Sequence, residues 1–317
     1  MPLRRHGVAA LFSMHYNGTI LTYGVMVMIY LERFRLPDQD QEDAFLSGIR
    51  RTCYPTRYPF HVFRYRRMPE LEFEPVTILA GGNGSGKSTL LNVMAETLGL
   101  RRTAVYNRSP FFEDYTALCR CRFTGNGIQN GRIITSDDVF DYLLNIRCLN
   151  ENLDNQREQL LAEYRDLRYS QFQLHSLEDY EELARHVDAA RCTGSDYART
   201  RLMESVPEQS NGESALRFFT EAIGENALYL LDEPENSLSA ARQLELQTFL
   251  ADSARFYGCQ FVISTHSPFL LAIPGAKIYN LDATPPAVCR WTELENVQVY
   301  RTFFRQRERD FIQEDIP

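Results

Sequence analysis

Lysine is almost missing from this chain of 317 residues: of 34 basic residues only Lys87 and Lys277 are lysine, and the rest are arginine. The skew reads as genomic base composition, yet it makes a lysine inside a glycine-rich loop hard to ascribe to chance. An excess of positive charge is lacking too. The formal net charge is −8, which argues against a general binder of polyanions and leaves room only for local basic patches. Cysteine is scattered and odd in number, seven residues at positions 53, 119, 121, 148, 192, 259 and 289. Cys119 and Cys121 make one C-x-C with no second pair nearby, so a zinc site is not indicated and reduced thiols in a cytoplasmic protein are expected. No long apolar run is present near the start. The stretch TILTYGVMVMIYL has 13 residues, interrupted by Thr and Gly, where a bilayer span needs roughly 20. With RRHG ahead of it the stretch superficially suggests an export signal; a nucleotide site downstream argues against export, and no membrane partner is expected. Internal repeats and low-complexity segments are absent as well. What remains, 44% hydrophobic and 24% charged residues, is an ordinary globular balance. The length allows a full core, as one domain with an insertion or as two domains.

Short apolar runs bounded by turn residues read as buried strands: VTILA (76–80), RIIT (132–135), ALYLLD (227–232), CQFVIST (259–265) and KIYNL (277–281). Helical patterns such as STLLNVMAETLG and AARQLELQTFLADSARF alternate with them, which points to an α/β fold with a mostly parallel central sheet. Before that core YLERFRL, HVFRYRR and LEFE suggest a small antiparallel β element. From 142 to 205 the composition turns to Glu, Gln, Arg and Leu without a strand signal. Ile146, Leu153, Leu160, Leu167 and Leu174 recur every seven residues, but the companion column (Asn150, Arg157, Tyr164, Gln171) is mostly polar, so a helical lid fits better than a coiled-coil arm. The expected organisation is an N-terminal extension over 1–27, not native or poorly ordered; a discontinuous nucleotide-binding domain over 28–141 and 206–290; a helical lid insertion over 142–205; and a C-terminal tail over 291–317.

The most specific signal is GGNGSGKST, which places Gly81, Gly82, Asn83, Gly84, Ser85, Gly86, Lys87, Ser88 and Thr89 directly after one strand pattern and before a helical one. This is the P-loop context. Glycines let backbone N–H groups turn inward around phosphates, the helix N-terminus adds partial positive charge, Lys87 reaches the β- and γ-phosphates, and the Ser88 hydroxyl ligates Mg²⁺. LYLLDEPENS then ends a buried strand in Asp232-Glu233. Asp232 at a strand tip can hold the Mg²⁺ shell, and Glu233 can orient or deprotonate an attacking water. FVISTHSPFLL ends a third strand in Thr265-His266-Ser267-Pro268, where ligands of open α/β sheets collect. His266 is the candidate to sense the γ-phosphate or steady the water. Further upstream Ser210-Asn211-Gly212-Glu213 precedes a helical run. Ser210 with Glu213 has the spacing of a capping box, and a capped helix N-terminus is also an anion-binding surface that Gly212 would let a phosphate approach.

Taken together, the P-loop, the helical insert, S-x-G-E, D-E-P and S-T-H-S-P resemble the ATP-binding cassette (ABC) ATPase head in its soluble RecF/SMC-like branch. The runs LDEPENSLSAARQ and ISTHSPFLL…PGAKIY most resemble bacterial AAA family ATPases of small size. The resemblance covers about residues 28–310. It implies ATP and Mg²⁺ as ligands and a head-to-tail homodimer with ATP between two copies. Ser210 and Gly212 would then touch the γ-phosphate held by the other copy. It also implies work in DNA repair or maintenance or in phage defence, with a nuclease or DNA as partner. A non-hydrolytic switch or adaptor, and a transporter energy-coupling subunit, are the alternatives.

Departures from the family pattern are visible. Ser239 stands where the family has an aspartate in the dimer-contact loop, which puts communication across the dimer in doubt. No glutamine marks the Mg²⁺-sensing loop; Ser136, Asp137 or Asp138 in RIITSDDVF are the candidates. Phe60, Phe63 and Arg64 are candidates for the adenine only by position. YRTFFRQRER (300–309) carries four arginines among aromatics, which fits a solvated helix face better than a DNA contact.

Overall fold

The structure is a computed structural model, and it describes residues 11–16, 19–24, 28–49, 53–54, 56–125, 127–170, 180–202 and 211–311. The chain divides into two compact units, residues 1–139 with 211–317, and residues 140–210. In chain order the first unit contains β1 (Leu11–Tyr16), β2 (Thr19–Gly24), β3 (Leu31–Arg35), α1 (Gln39–Gly48), β4 (Leu71–Glu72), β5 (Val76–Ala80), α2 (Lys87–Thr97), α3 (Phe112–Leu118), β6 (Arg120–Phe123) and β7 (Gly131–Thr135). Helix α4 (Ser136–Tyr169) leads into the second unit, which continues with α5 (Tyr180–Arg191) and α6 (Gly194–Arg199). The first unit resumes with α7 (Asn211–Ala222), β8 (Leu228–Asp232), α8 (Ala240–Phe256), β9 (Gln260–Ser264), α9 (Pro268–Leu271), β10 (Lys277–Asn280), β11 (Ala287–Cys289) and α10 (Glu295–Gln306).

The central sheet has the order β11-β10-β5-β9-β8-β7, parallel throughout except for β11, which runs antiparallel to β10. Every residue of β5 and of β9 is buried, as strands covered on both faces must be, which is why their sequences are apolar runs rather than alternating patterns. Register matters most for the site. Asp232 pairs with Ser264 on one side and with Thr135 on the other, and Leu79 pairs with Ser264, so the carboxyl ends of β5, β9, β8 and β7 lie side by side.

The small sheet is antiparallel with the order β4-β3-β6. Its membership corrects one expectation. HVFRYRR is not a strand: His61 and Arg67 take positive φ and the segment is a series of turns. RCRF supplies the third strand instead. The buried Gln260 side chain ties this sheet to the central one. Its Oε1 accepts from the amides of Tyr30 (2.8 Å) and Leu31 (2.9 Å), and its Nε2 donates to the Leu31 carbonyl at 2.9 Å. At the N-terminus, β1 and β2 form an antiparallel hairpin with Leu11 opposite Gly24.

In the second unit the heptad stripe lies on α4: Leu153 is buried and Ile146, Leu160 and Leu167 are half-buried, whereas Leu174 falls outside the described residues. The polar column contributes too. Tyr164 and Tyr197 bring their rings to 5.7 Å, Tyr197 donates to Glu163 at 3.2 Å, and Arg168 donates to the Ala189 carbonyl at 2.8 Å. Thr193 caps α6 by accepting from the Asp196 amide.

Candidate functional site

The P-loop turns between β5 and α2. Gly84 and Gly86 both adopt positive φ (78° and 90°), and a Cβ at Gly86 would come 2.9 Å from the Phe63 ring, so glycine is required there twice over. Gly82, Asn83 and Gly84 form the exposed crest, and Ser85 is buried beneath it with its amide donating to the Gly82 carbonyl. Gly86 caps α2 without any side-chain hydrogen bond, which leaves the first amides of the helix directed at the crest. Thr89 is held from outside by the Tyr58 hydroxyl at 3.1 Å.

Lys87 is buried, only 4% exposed, and folds back over the loop. Its ammonium donates to the carbonyls of Gly81 (2.9 Å) and Gly82 (3.1 Å) and lies 2.8 Å from His266 Nε2. An ammonium has only protons to give, so in this contact Nε2 is the acceptor. Burial lowers the Lys87 pKa, opposed by the carboxylates of Glu233 and Asp232. Across the loop the Ser88 hydroxyl donates to Asp232 Oδ1 at 3.1 Å. Burial raises the Asp232 pKa, with the Ser88 hydrogen bond opposing the rise. Cation and carboxylate are thus both held at a desolvation cost, the condition of a site shaped for a charged ligand.

Glu233 follows at φ 48°, left-handed for a non-glycine residue, and is pinned there by its amide donating to the Ser264 carbonyl at 2.9 Å. Its carboxylate accepts from Asn236 Nδ2 at 3.1 Å and lies 3.7 Å from His266 Nε2. Lys87, Ser88, Asp232, Glu233 and His266 therefore converge at the ends of three neighbouring strands.

Several residues that shape this arrangement carried no sequence signal of their own. Glu235 Oε1 accepts from the amides of His266 (2.6 Å) and Ser267 (3.1 Å), and the Asn296 side chain donates to the His266 carbonyl at 3.1 Å. Asp282 accepts from the Gly82 amide at 2.7 Å, and Arg66 donates to the carbonyls of Leu281 (2.8 Å) and Gly84 (3.2 Å). Glu235→Ala strips two amides of their acceptor and is expected to cost about 1–3 kcal/mol, measured as a lower urea midpoint. Glu235→Gln, which keeps the carbonyl acceptor, should recover most of it. Equal midpoints for Glu235→Ala and the unaltered protein would contradict this role.

Other candidates fall elsewhere. Phe60 and Phe63 are core residues, 3% and 4% exposed, with Phe60 stacked on Phe45 at 5.1 Å, so neither is free to stack on a base. Arg64 is committed to Asp43 at 2.8 Å. Asp138 is buried inside the first turn of α4 and accepts from the amides of Ala104 and Thr135; Ser136 and the exposed Asp137 directly follow Thr135, the register partner of Asp232. Ser239 caps α8 by accepting from the Arg242 amide. Ser210 lies outside the described residues. Gly212 is in the first turn of α7, and a Cβ there would meet Arg242, Ser237 and Ser239, none of them P-loop residues. Glu213 accepts from Arg242 at 2.7 Å.

A family model described as "AAA domain, putative AbiEii toxin, Type IV TA system" matches residues 134–272, which include Asp232, Glu233 and His266. Curated proteins give no match. Among solved structures, the chain resembles an inward-facing metal-chelate type ABC transporter at 20% identity, covering 75% of this chain and 80% of that one, with a TM-score of 0.36. It resembles the ATP-binding cassette MJ0796 with ADP and phosphate at 18% identity, with coverages of 67% and 83% and a TM-score of 0.33. The SMC head domain from Thermotoga maritima is 16% identical, with coverages of 83% and 99% and a TM-score of 0.33. No helix among the described residues is long and apolar enough to cross a membrane.

Proposed function

We propose that this chain is a P-loop ATPase of the ABC/SMC-like type that binds Mg-ATP and hydrolyses it to ADP and phosphate. The observation that carries this reading is the convergence of Lys87, Ser88, Asp232, Glu233 and His266 at adjacent strand ends. Lys87 donates to Gly81, Gly82 and His266; phosphate oxygens are stronger acceptors and would take these protons over. The free amides at the start of α2 bind the phosphates from the other side.

Ser88 and Asp232 fit Mg²⁺. They supply one hydroxyl and one carboxylate 3.1 Å apart, and among the described residues no group of three or more His, Cys, Asp or Glu competes for a metal. Mg²⁺ characteristically takes one or two such ligands and completes its shell with water and substrate phosphates. Bound there it would neutralise charge on the β- and γ-phosphate oxygens. Glu233 is the base that orients and deprotonates the water, with its carboxylate steered by Asn236. His266 sits between Lys87 and Glu233 and is suited to register the γ-phosphate.

The start of α7 borders Ser237, Ser239 and Arg242 of its own chain. Ser210 and Gly212 would therefore complete the γ-phosphate site of a second copy, in a head-to-tail homodimer gated by ATP. Ser239 serves as a helix cap where the family has an aspartate, so contact between the two sites would run through other residues. The toxin–antitoxin system named for the matching family favours a role in defence over one in DNA repair. Phosphate release with saturating Mg-ATP tests the reading. A protein that binds ATP without releasing phosphate would be an adaptor instead.

A further inference from the structure

Next to the catalytic candidates lies a cavity of about 850 Å³ whose described lining includes Glu233 and His266 but no P-loop residue. Four large rings stand in its walls: Phe269 of α9, Trp291, and Tyr300 and Phe304 of α10. Helix α10 buries only Val297 of its twelve residues, and Phe304 stays 52% exposed. A helix that shows water a stripe of rings this broad is a candidate binding surface rather than an ordinary solvated face.

Polar residues line the cavity beside the rings, and most of them are already engaged within the protein. Glu235 gives Oε1 to two backbone amides while its Oε2 is buried without a hydrogen-bond partner, and Glu233 accepts from Asn236. On the α10 side, Arg301 lines the cavity and has no hydrogen-bond or ion-pair partner among the described residues; Arg305 follows one turn on, equally free. The side-chain carbonyls of Asn236 and Gln298 also line the cavity and accept no hydrogen bond among the described residues. Flat rings, free amide acceptors and an unpaired guanidinium at one end match a ligand with an aromatic ring, amino or imino donors on its edge and an anionic group. A nucleotide unit has that chemistry, with bases stacking on aromatic side chains and phosphate meeting arginine.

We propose that this cavity is a second nucleotide-binding site, separate from the P-loop, with the base between Phe269, Trp291 and Phe304 and the phosphate on Arg301. The hydrogen bond from Asn296 of α10 to the His266 carbonyl gives the bound ligand a route to the hydrolytic centre. Only this last link rests on the proposed ATPase function; binding itself does not.

Trp291 is the sole tryptophan of the chain, so its fluorescence reports on the cavity directly. The protein without ATP is titrated with thymidine 5′-monophosphate and, separately, with single-stranded oligothymidylate. Saturable quenching by the oligonucleotide at much lower concentration identifies nucleic acid as the source of the nucleotide; equal affinities identify the free nucleotide. Arg301→Ala and Phe304→Ala should each weaken quenching by roughly tenfold or more. Both side chains are exposed, so their thermal melts should match the unaltered protein. Lys87→Ala should leave quenching unchanged, which separates this cavity from the P-loop and keeps the result independent of whether ATP is hydrolysed. No saturable change with either probe, or quenching that survives Arg301→Ala and is lost in Lys87→Ala, overturns the proposal.

Discussion

Lys87→Ala is expected to weaken Mg-ATP binding by roughly 100- to 10,000-fold while leaving the unliganded fold as stable as before. The first half follows from hydrogen bonds to phosphate. Each charge-assisted bond contributes about 1.5–3 kcal/mol, and losing two of them changes affinity by that range. The second half follows from the burial of the side chain. Lys87 is buried, and burial lowers its pKa, so the cation is held against a desolvation cost that its bonds to Gly81, Gly82 and His266 only partly offset. Removing it loses those bonds and also the cost. Titration calorimetry and a thermal melt of the same preparation separate the two effects. A melting temperature many degrees lower would mean that Lys87 is a structural residue first. Unchanged affinity would mean that the loop is not a phosphate site.

Glu233→Gln should have the opposite profile, with binding kept and turnover lowered by roughly 100- to 10,000-fold, the range for removing a general base. The amide preserves the shape of the side chain and can still pair with Asn236, so the left-handed turn at Glu233 should persist. What is lost is the group that takes the proton from water. If ATP holds two copies together, this variant stays loaded and should elute as a dimer with Mg-ATP and as a monomer without nucleotide. A monomer that still binds ATP tightly would leave hydrolysis in place and remove the head-to-tail arrangement.

The motifs were legible because each sits where an apolar run stops. VTILA, LYLLD and QFVIS are buried on both faces, so their sequences carry no alternation to misread, and the register that pairs Asp232 with Ser264 follows from parallel packing. HVFRYRR misled because Phe63, Arg64, Tyr65 and Arg66 alternate apolar and charged, while the segment folds into turns with positive φ at His61 and Arg67. RCRF was overlooked because an edge strand with exposed arginines carries no hydrophobic signal. Phe60 and Phe63 lie near the P-loop as expected but face inward, one against Phe45 and the other against Gly86, which sequence position does not determine. The buttresses were invisible for a different reason. Glu235 meets His266 across 31 residues and Asp282 meets Gly82 across 200, contacts that only the folded sheet brings about.

Steady-state phosphate release from the unaltered protein at saturating Mg-ATP, set against the same preparation with Mg²⁺ chelated, tests most directly whether these strand ends form a hydrolytic centre. Turnover that collapses on chelation, and is missing from Lys87→Ala, is the predicted result. Release that persists without Mg²⁺, or that never rises above the Lys87→Ala background, would contradict it.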